Sequence, residues 1–169
     1  MIVQRLKEHL ATGTATGVSH LLLAIGHLRL GQLDQALIHL EVANRLTPNN
    51  PFIANNLALC IARLHPAELP RAKQLVEVAL SVSPTDPEIL DTYGEILSLG
   101  QDYVGAIRAF DNSLTVDPSR TSTRTKLALA YEKAGMTEMA NSIRQFDHSK
   151  PDQPEPDTPT VEEPTTVAP

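Results

Sequence analysis

A period of about 34 residues runs through this chain and limits what it can fold into. Ala36, Ala72, Ala106 and Ala140 stand 36, 34 and 34 residues apart. Pro48, Pro84 and Pro118 keep the same beat, each twelve residues after its alanine. A second small column follows each alanine by seven residues, at Ala43, Ala79 and Ser113, with Asp147 at the fourth place. A further column lies upstream, at Leu23-Ala24, Leu57-Ala58, Tyr93-Gly94 and Leu127-Ala128. Units of this size cannot bury an apolar face alone. They stack on their neighbours and form a continuous core.

Each unit reads as two helices. In the third, Pro87 follows Pro84-Thr85-Asp86 and begins a helix, as proline does at a first helical position. Leu90, Tyr93, Gly94 and Leu97 then fall on one helical face. Gly100 marks the break. Ala106, Ile107, Phe110 and Leu114 make the apolar stripe of the second helix, and Pro118 ends it. Small residues at Gly94 and Ala106 are expected to let the two helices approach closely, with Tyr93, Leu97 and Phe110 filling the space around them.

This pattern resembles the tetratricopeptide repeat, with its Leu-Gly-x-x-Tyr, Ala-x-x-x-Phe and Pro positions in 34 residues. The third unit fits best, with Leu90-x-x-Tyr93-Gly94-x-x-Leu97, Ala106-x-x-x-Phe110 and Pro118. The first has His20-x-x-Leu23-Ala24-x-x-His27 and Ala36-x-x-x-Leu40; the second has Ala54-x-x-Leu57-Ala58-x-x-Ile61 and Ala72-x-x-x-Val76. The fourth has Arg124-x-x-Leu127-Ala128-x-x-Tyr131 and Ala140-x-x-x-Arg144. The resemblance implies an all-α fold, a right-handed superhelical solenoid of about four helix-turn-helix repeats over residues 17–148, divided near 17–50, 51–86, 87–120 and 121–148. Two departures matter. The second unit has two extra residues in the turn from Arg63 to Pro70, and the fourth carries Arg144 and Asp147 where bulk and a small residue are usual. The helix from about Thr137 to Asp147 is therefore expected to be the polar C-terminal cap.

The ends differ from the body. Residues 149–169 contain six of the thirteen prolines, and five acids against Lys150 give that segment −4 of the total charge of −6, leaving −2 for the rest. With only Val161, Val167 and Ala168 as apolar residues, it is expected to be a disordered acidic tail. Residues 1–16 read as a short amphipathic helix, with Ile2, Val3, Leu6 and Leu10 on one side, followed by a Thr/Gly connector. The run from Val18 to Leu30 is apolar nearly all round and needs cover on two sides. The N-terminal helix either supplies that cover or is the remnant of a preceding repeat.

Composition excludes several function classes. Six aromatics, no Trp and an acidic balance argue against nucleic-acid binding. The run from Val18 to Leu30 falls short of the ~20 residues of a membrane span, and charges interrupt the N-terminus too early for a signal peptide. If Met1 is the true start, the expectation is a cytoplasmic protein. Cys60 is the one cysteine. Beside Leu57, Ile61 and Leu64 it reads as a buried inert thiol, while Arg63 one turn away keeps a redox role open. His20 and His27 lie about 10 Å apart along one helix, too far to share a metal ion, and read as packing residues. His9, His39, His65 and His148 show no helical pairing. Nothing resembles a phosphate loop, nucleophile elbow or metal motif, so no enzyme activity, metal or cofactor is expected.

The resemblance further implies that the first helix of each repeat lines a concave groove. Val18, Leu21, Leu22 and Ile25 would face it from the first repeat, then Phe52, Asn55, Asn56, Leu59 and Arg63 from the second. Glu88, Asp91, Thr92 and Glu95 would follow from the third, and Lys126, Leu129 and Lys133 from the fourth. Such a lining suits an extended peptide or a partner helix. In the family an asparagine at the place of Asn56 often holds a ligand's backbone; the plainer reading is a solvated amide. Cochaperones of this family clamp a C-terminal carboxylate with cations and amides. Here the matching columns hold Leu21, Ile25, Asn56, Glu88 and Thr92, of which only Asn56 fits. The expected function is a protein-interaction scaffold; the alternative is a regulatory or spacer segment of a larger enzyme or envelope-assembly protein.

Overall fold

The computed structural model describes the backbone of residues 16–148 and the side chains of residues 16–145. The expectations for the N-terminal helix and the acidic tail lie outside the described residues. Eight α-helices follow one another within them: α1 (Gly17–Arg29), α2 (Leu33–Leu46), α3 (Pro51–Leu64), α4 (Leu69–Val82), α5 (Pro87–Leu99), α6 (Tyr103–Val116), α7 (Thr121–Lys133) and α8 (Thr137–His148). Each packs on the next in the chain, as helix pairs stacked into a solenoid. The first helices α3, α5 and α7 also meet directly between repeats, whereas the second helices meet one another at most marginally. The first helices therefore form the tighter, concave side.

Local chemistry sets the helix starts. Pro51 and Pro87 take the first helical position, and the side chains of Asn50 and Asp86 cap the two exposed N–H groups that follow, at 2.9–3.1 Å. Thr16 and Ser19 form a capping box on α1. The two extra residues of the second unit are taken up by a 3₁₀ turn at Pro66–Glu68, which feeds directly into α4.

The repeat columns are the core. Ala24, Ala36, Leu40, Ala43, Leu57, Ala58, Ala72, Val76, Ala79, Ala106 and Phe110 are buried. Gly94 is small for a more specific reason than helix approach. A Cβ there would lie 2.5 Å from Cε1 of Phe110, so the glycine makes room for the aromatic ring of the facing helix. Ser113, in the second small column, is fully buried and its hydroxyl donates to the carbonyl of Pro87 at 2.7 Å. That bond ties the end of α6 to the start of α5. In the fourth repeat the column that holds Leu40, Val76 and Phe110 is polar: Arg144 is exposed and pairs with Glu132 of α7.

The break at Gly100 falls where expected, and a left-handed residue follows it. Gly100 caps α5 with an ordinary negative φ of −80°, and the left-handed residue is Gln101, at φ 63°. The same register is glycine in the first and fourth repeats, Gly31 at φ 70° and Gly135 at φ 80°. Glycine adopts that conformation without steric cost, and glutamine does not.

Candidate partner-binding surface

The concave face has two chemically distinct halves. On the first two repeats it is apolar: Val18 and Leu22 of α1 and Phe52 of α3 are half exposed, and Ile25 and Leu59 are partly covered. The helical phase that buries Leu23, Ala24, Leu57 and Ala58 in the core turns these residues outward.

From the end of the second repeat to the fourth, charges join successive first helices. Arg63 at the end of α3 donates through Nε to Glu95 Oε1 of α5 at 2.6 Å. Lys126 of α7 reaches back to the same helix, with Nζ 2.6 Å from Asp91 Oδ2 and 2.8 Å from Glu95 Oε2. Burial alone would raise the carboxyl of Glu95; the hydrogen bonds from Arg63 and Lys126 outweigh it and hold the group below the usual carboxylate range. Burial would likewise lower Lys126, and Asp91 and Glu95 hold its ammonium above the ordinary lysine value. The four charges sum to zero and link three repeats.

The residues expected to meet a partner thus divide. Phe52 is open to solvent and Leu59 partly so. Glu88 is exposed and has no ion pair among the described residues. Asn55 is only 3% exposed and Asp91 only 7%, so the structure places both beneath the surface rather than on it, each with one side-chain oxygen lacking a donor. The Asn56 amide donates one N–H to the carbonyl of Phe52 in its own helix at 2.8 Å, which leaves its second N–H and its carbonyl oxygen for other partners. Arg63, Asp91, Glu95 and Lys126 come together, but as partners of one another.

Beyond this ladder the face opens into a cleft of about 350 Å³ between α5, α6 and α7. Leu99, Tyr103, Phe110, Leu129 and Ala130 form its walls, with Ser98, Lys126 and Lys133 among its polar groups. Single residues on three helices do not reveal it in a linear sequence, although Leu129 and Lys133 fall in the lining columns.

A histidine cluster was also hidden from helical spacing. His39 of α2 sits between the two histidines of α1: its Nδ1 is 3.1 Å from His20 Nδ1, and its ring stacks 5.5 Å from that of His27. His27 Nδ1 in turn lies 2.7 Å from Gln32 Oε1. His20 is buried, and the loss of solvent lowers its pKa. Among the described residues no group of three or more His, Cys, Asp or Glu side chains could hold a metal ion. Cys60 is fully buried, and burial pushes its thiol up to about 11 despite nearby Arg63.

The stacked helix pairs match solved structures along most of the chain. A crystal structure of MamA superimposes with a TM-score of 0.70 at 16% identity, covering 85% of this chain and 82% of that one. MamA residues 41 to the end from Desulfovibrio magneticus RS-1 give 0.72 at 14% identity, covering 88% and 85%. The first tetratricopeptide domain of Spaghetti (RPAP3), bound to the HSP90 peptide SRMEEVD, gives 0.62 at 15% identity, covering 71% and 94%. The fold is that of a tetratricopeptide-repeat solenoid. No protein-family model matches the chain, and no curated protein matches it. No helix among the described residues of this solenoid is long and apolar enough to cross a membrane.

Proposed function

We propose that this tetratricopeptide-like solenoid is a non-enzymatic protein-interaction scaffold that holds an extended peptide or a partner helix against its concave face. The observation that carries this reading is that Val18, Leu22 and Phe52, on the first helices of the first two repeats, are half exposed, with Ile25 and Leu59 of the same helices partly so. Exposed apolar patches mark interaction surfaces, and those on the first helices face the side on which a partner would contact several repeats at once. That a neighbour of the same fold holds an HSP90 peptide supports peptide capture as something such a scaffold can do. Asp91 and Glu95 of the third repeat are spent on Arg63 and Lys126 of the repeats on either side, so affinity in this reading comes from apolar contacts, with Asn56 and Glu88 left to set register.

The test is a partner recovered with the whole chain as bait and then measured against purified variants. Phe52→Asp should weaken binding at least tenfold with an unchanged melting temperature. Val104→Asp, on α6 and equally exposed, should have no effect. The opposite result would move the site to the convex side and overturn the reading.

A further inference from the structure

Register explains why the cleft between α5, α6 and α7 carries a cation with no ion pair among the described residues. Counted from the small residue of each first helix (Ala24, Ala58, Gly94 and Ala128), Arg63 stands five residues on, and so does Lys133. Arg63 meets Glu95, which stands one residue on from the small residue of the next first helix. Lys133 occupies the same register of the last repeat, where no further first helix follows among the described residues. It is exposed and has no ion pair among them. Lys126 on the same rim is already committed to Asp91 and Glu95. The cleft below is walled by two aromatic rings and by Leu99, Leu129 and Ala130. At about 350 Å³ it lies at the lower end of the volumes that hold ligand groups.

We propose that this cleft is an anchor site for a partner protein's segment that presents a large apolar side chain flanked by a carboxylate. The apolar side chain fills the space between Tyr103, Phe110 and Leu129. The carboxylate takes the place at Lys133 that Glu95 takes at Arg63. An ammonium at the rim of an apolar pocket favours an acid over a neutral or basic neighbour, because the wrong charge there goes unpaired. This rests on the scaffold reading and adds to it a second anchor, in the third and fourth repeats, with one ligand chemistry.

The test is selection of a displayed random peptide library on the whole chain, with affinities of the selected peptides read by fluorescence anisotropy at low salt. Selected peptides should share an aromatic or large aliphatic residue next to Asp or Glu. Lys133→Glu, at an exposed and unpaired position, should preserve the melting temperature, weaken these peptides about fivefold to tenfold, and on reselection favour the same apolar residue next to Lys or Arg. Leu129→Asp should abolish binding of both sets. Selection of peptides whose pattern is indifferent to Lys133→Glu and Leu129→Asp but sensitive to Phe52→Asp would overturn the anchor site and leave the scaffold reading standing. Peptides indifferent to all three would defeat both. Replacing Val161, Glu162 and Glu163 by serines should leave affinity unchanged. A tenfold rise would mean that the chain's own tail is the occupant, and loss of self-association in Lys133→Glu would mean that a second copy is. Either would overturn assignment to a partner.

Discussion

At the position just after the small residue of each first helix, the repeats carry Ile25, Leu59, Glu95 and Leu129 in turn. Beside Leu59 the concave surface is apolar and open. Beside Glu95 it is charged and closed on itself, because Arg63 and Lys126 arrive from the helices on either side. The same backbone register is therefore left open to solvent at Leu59 and committed to inter-repeat cohesion at Glu95. A charge on a repeat surface reads as partner-facing only until the adjacent repeat is in place.

The largest expected effect breaks this contrast at its centre. Glu95→Lys places three cations together. It should cost about 2–3 kcal/mol, less than the roughly 3–5 kcal/mol of a fully buried pair because Arg63 is nearly half exposed. Leu59→Lys at the matching position should cost under about 1 kcal/mol. Urea denaturation of both variants checks the pair, and equal losses would mean that the ladder contributes no cohesion.

Packing gives the next. Gly94→Ala should cost about 1–3 kcal/mol by crowding Phe110. In the first repeat the facing pair is Ala24 with Leu40, both buried. Combining Gly94→Ala with Phe110→Leu should therefore recover part of the loss carried by the two single changes, and a double-mutant cycle measures that coupling. Strict additivity would mean that the ring is not what the glycine accommodates.

Acidification should separate the halves in the other direction. His20 has a lowered pKa in the folded state through burial. Its contribution is present above the unfolded value near 6.5 and is lost as pH falls through the lower folded value. Protonating both members of the His20–His39 contact would also set two cations 3.1 Å apart. Below pH 6.5, amide protection factors, which correct for the slower intrinsic exchange in acid, should fall in α1 and α2 more than in α5 and α6, and His20→Leu should flatten that dependence. The smallest effect is local: Gln101→Gly should stabilise the third repeat by about 0.5–1 kcal/mol by relieving its left-handed strain.

Much of this fold was legible because helix stacking writes itself into columns. Ala24, Ala58, Gly94 and Ala128 identify the inner face, and the prolines after each second helix identify the breaks. The site was legible only as far as one helix reaches. Phe52 and Leu59 follow from the phase of α3 alone. The pairing of Arg63 with Glu95, 32 residues away, depends on how far each repeat is rotated on the last, and no spacing rule carries that angle. The same holds for His39, which meets His20 and His27 across a helix pair rather than along a helix. Gly100 does end α5, but the left-handed residue after it is Gln101, whose side chain gives no signal of that conformation.

The burial of Cys60 gives the solenoid its own clock. With a thiol raised to about 11, only about a thousandth is thiolate at pH 8, and that fraction is sealed between α3 and its neighbours. An alkylating reagent will therefore modify the protein only as fast as the second repeat parts from the stack. Because the chain has one cysteine, the mass added over time reports a single event: the opening of the middle of the array, read without a label or a mutation. A ligand that spans the concave face should slow that clock, and one that binds only the last repeat should leave it running.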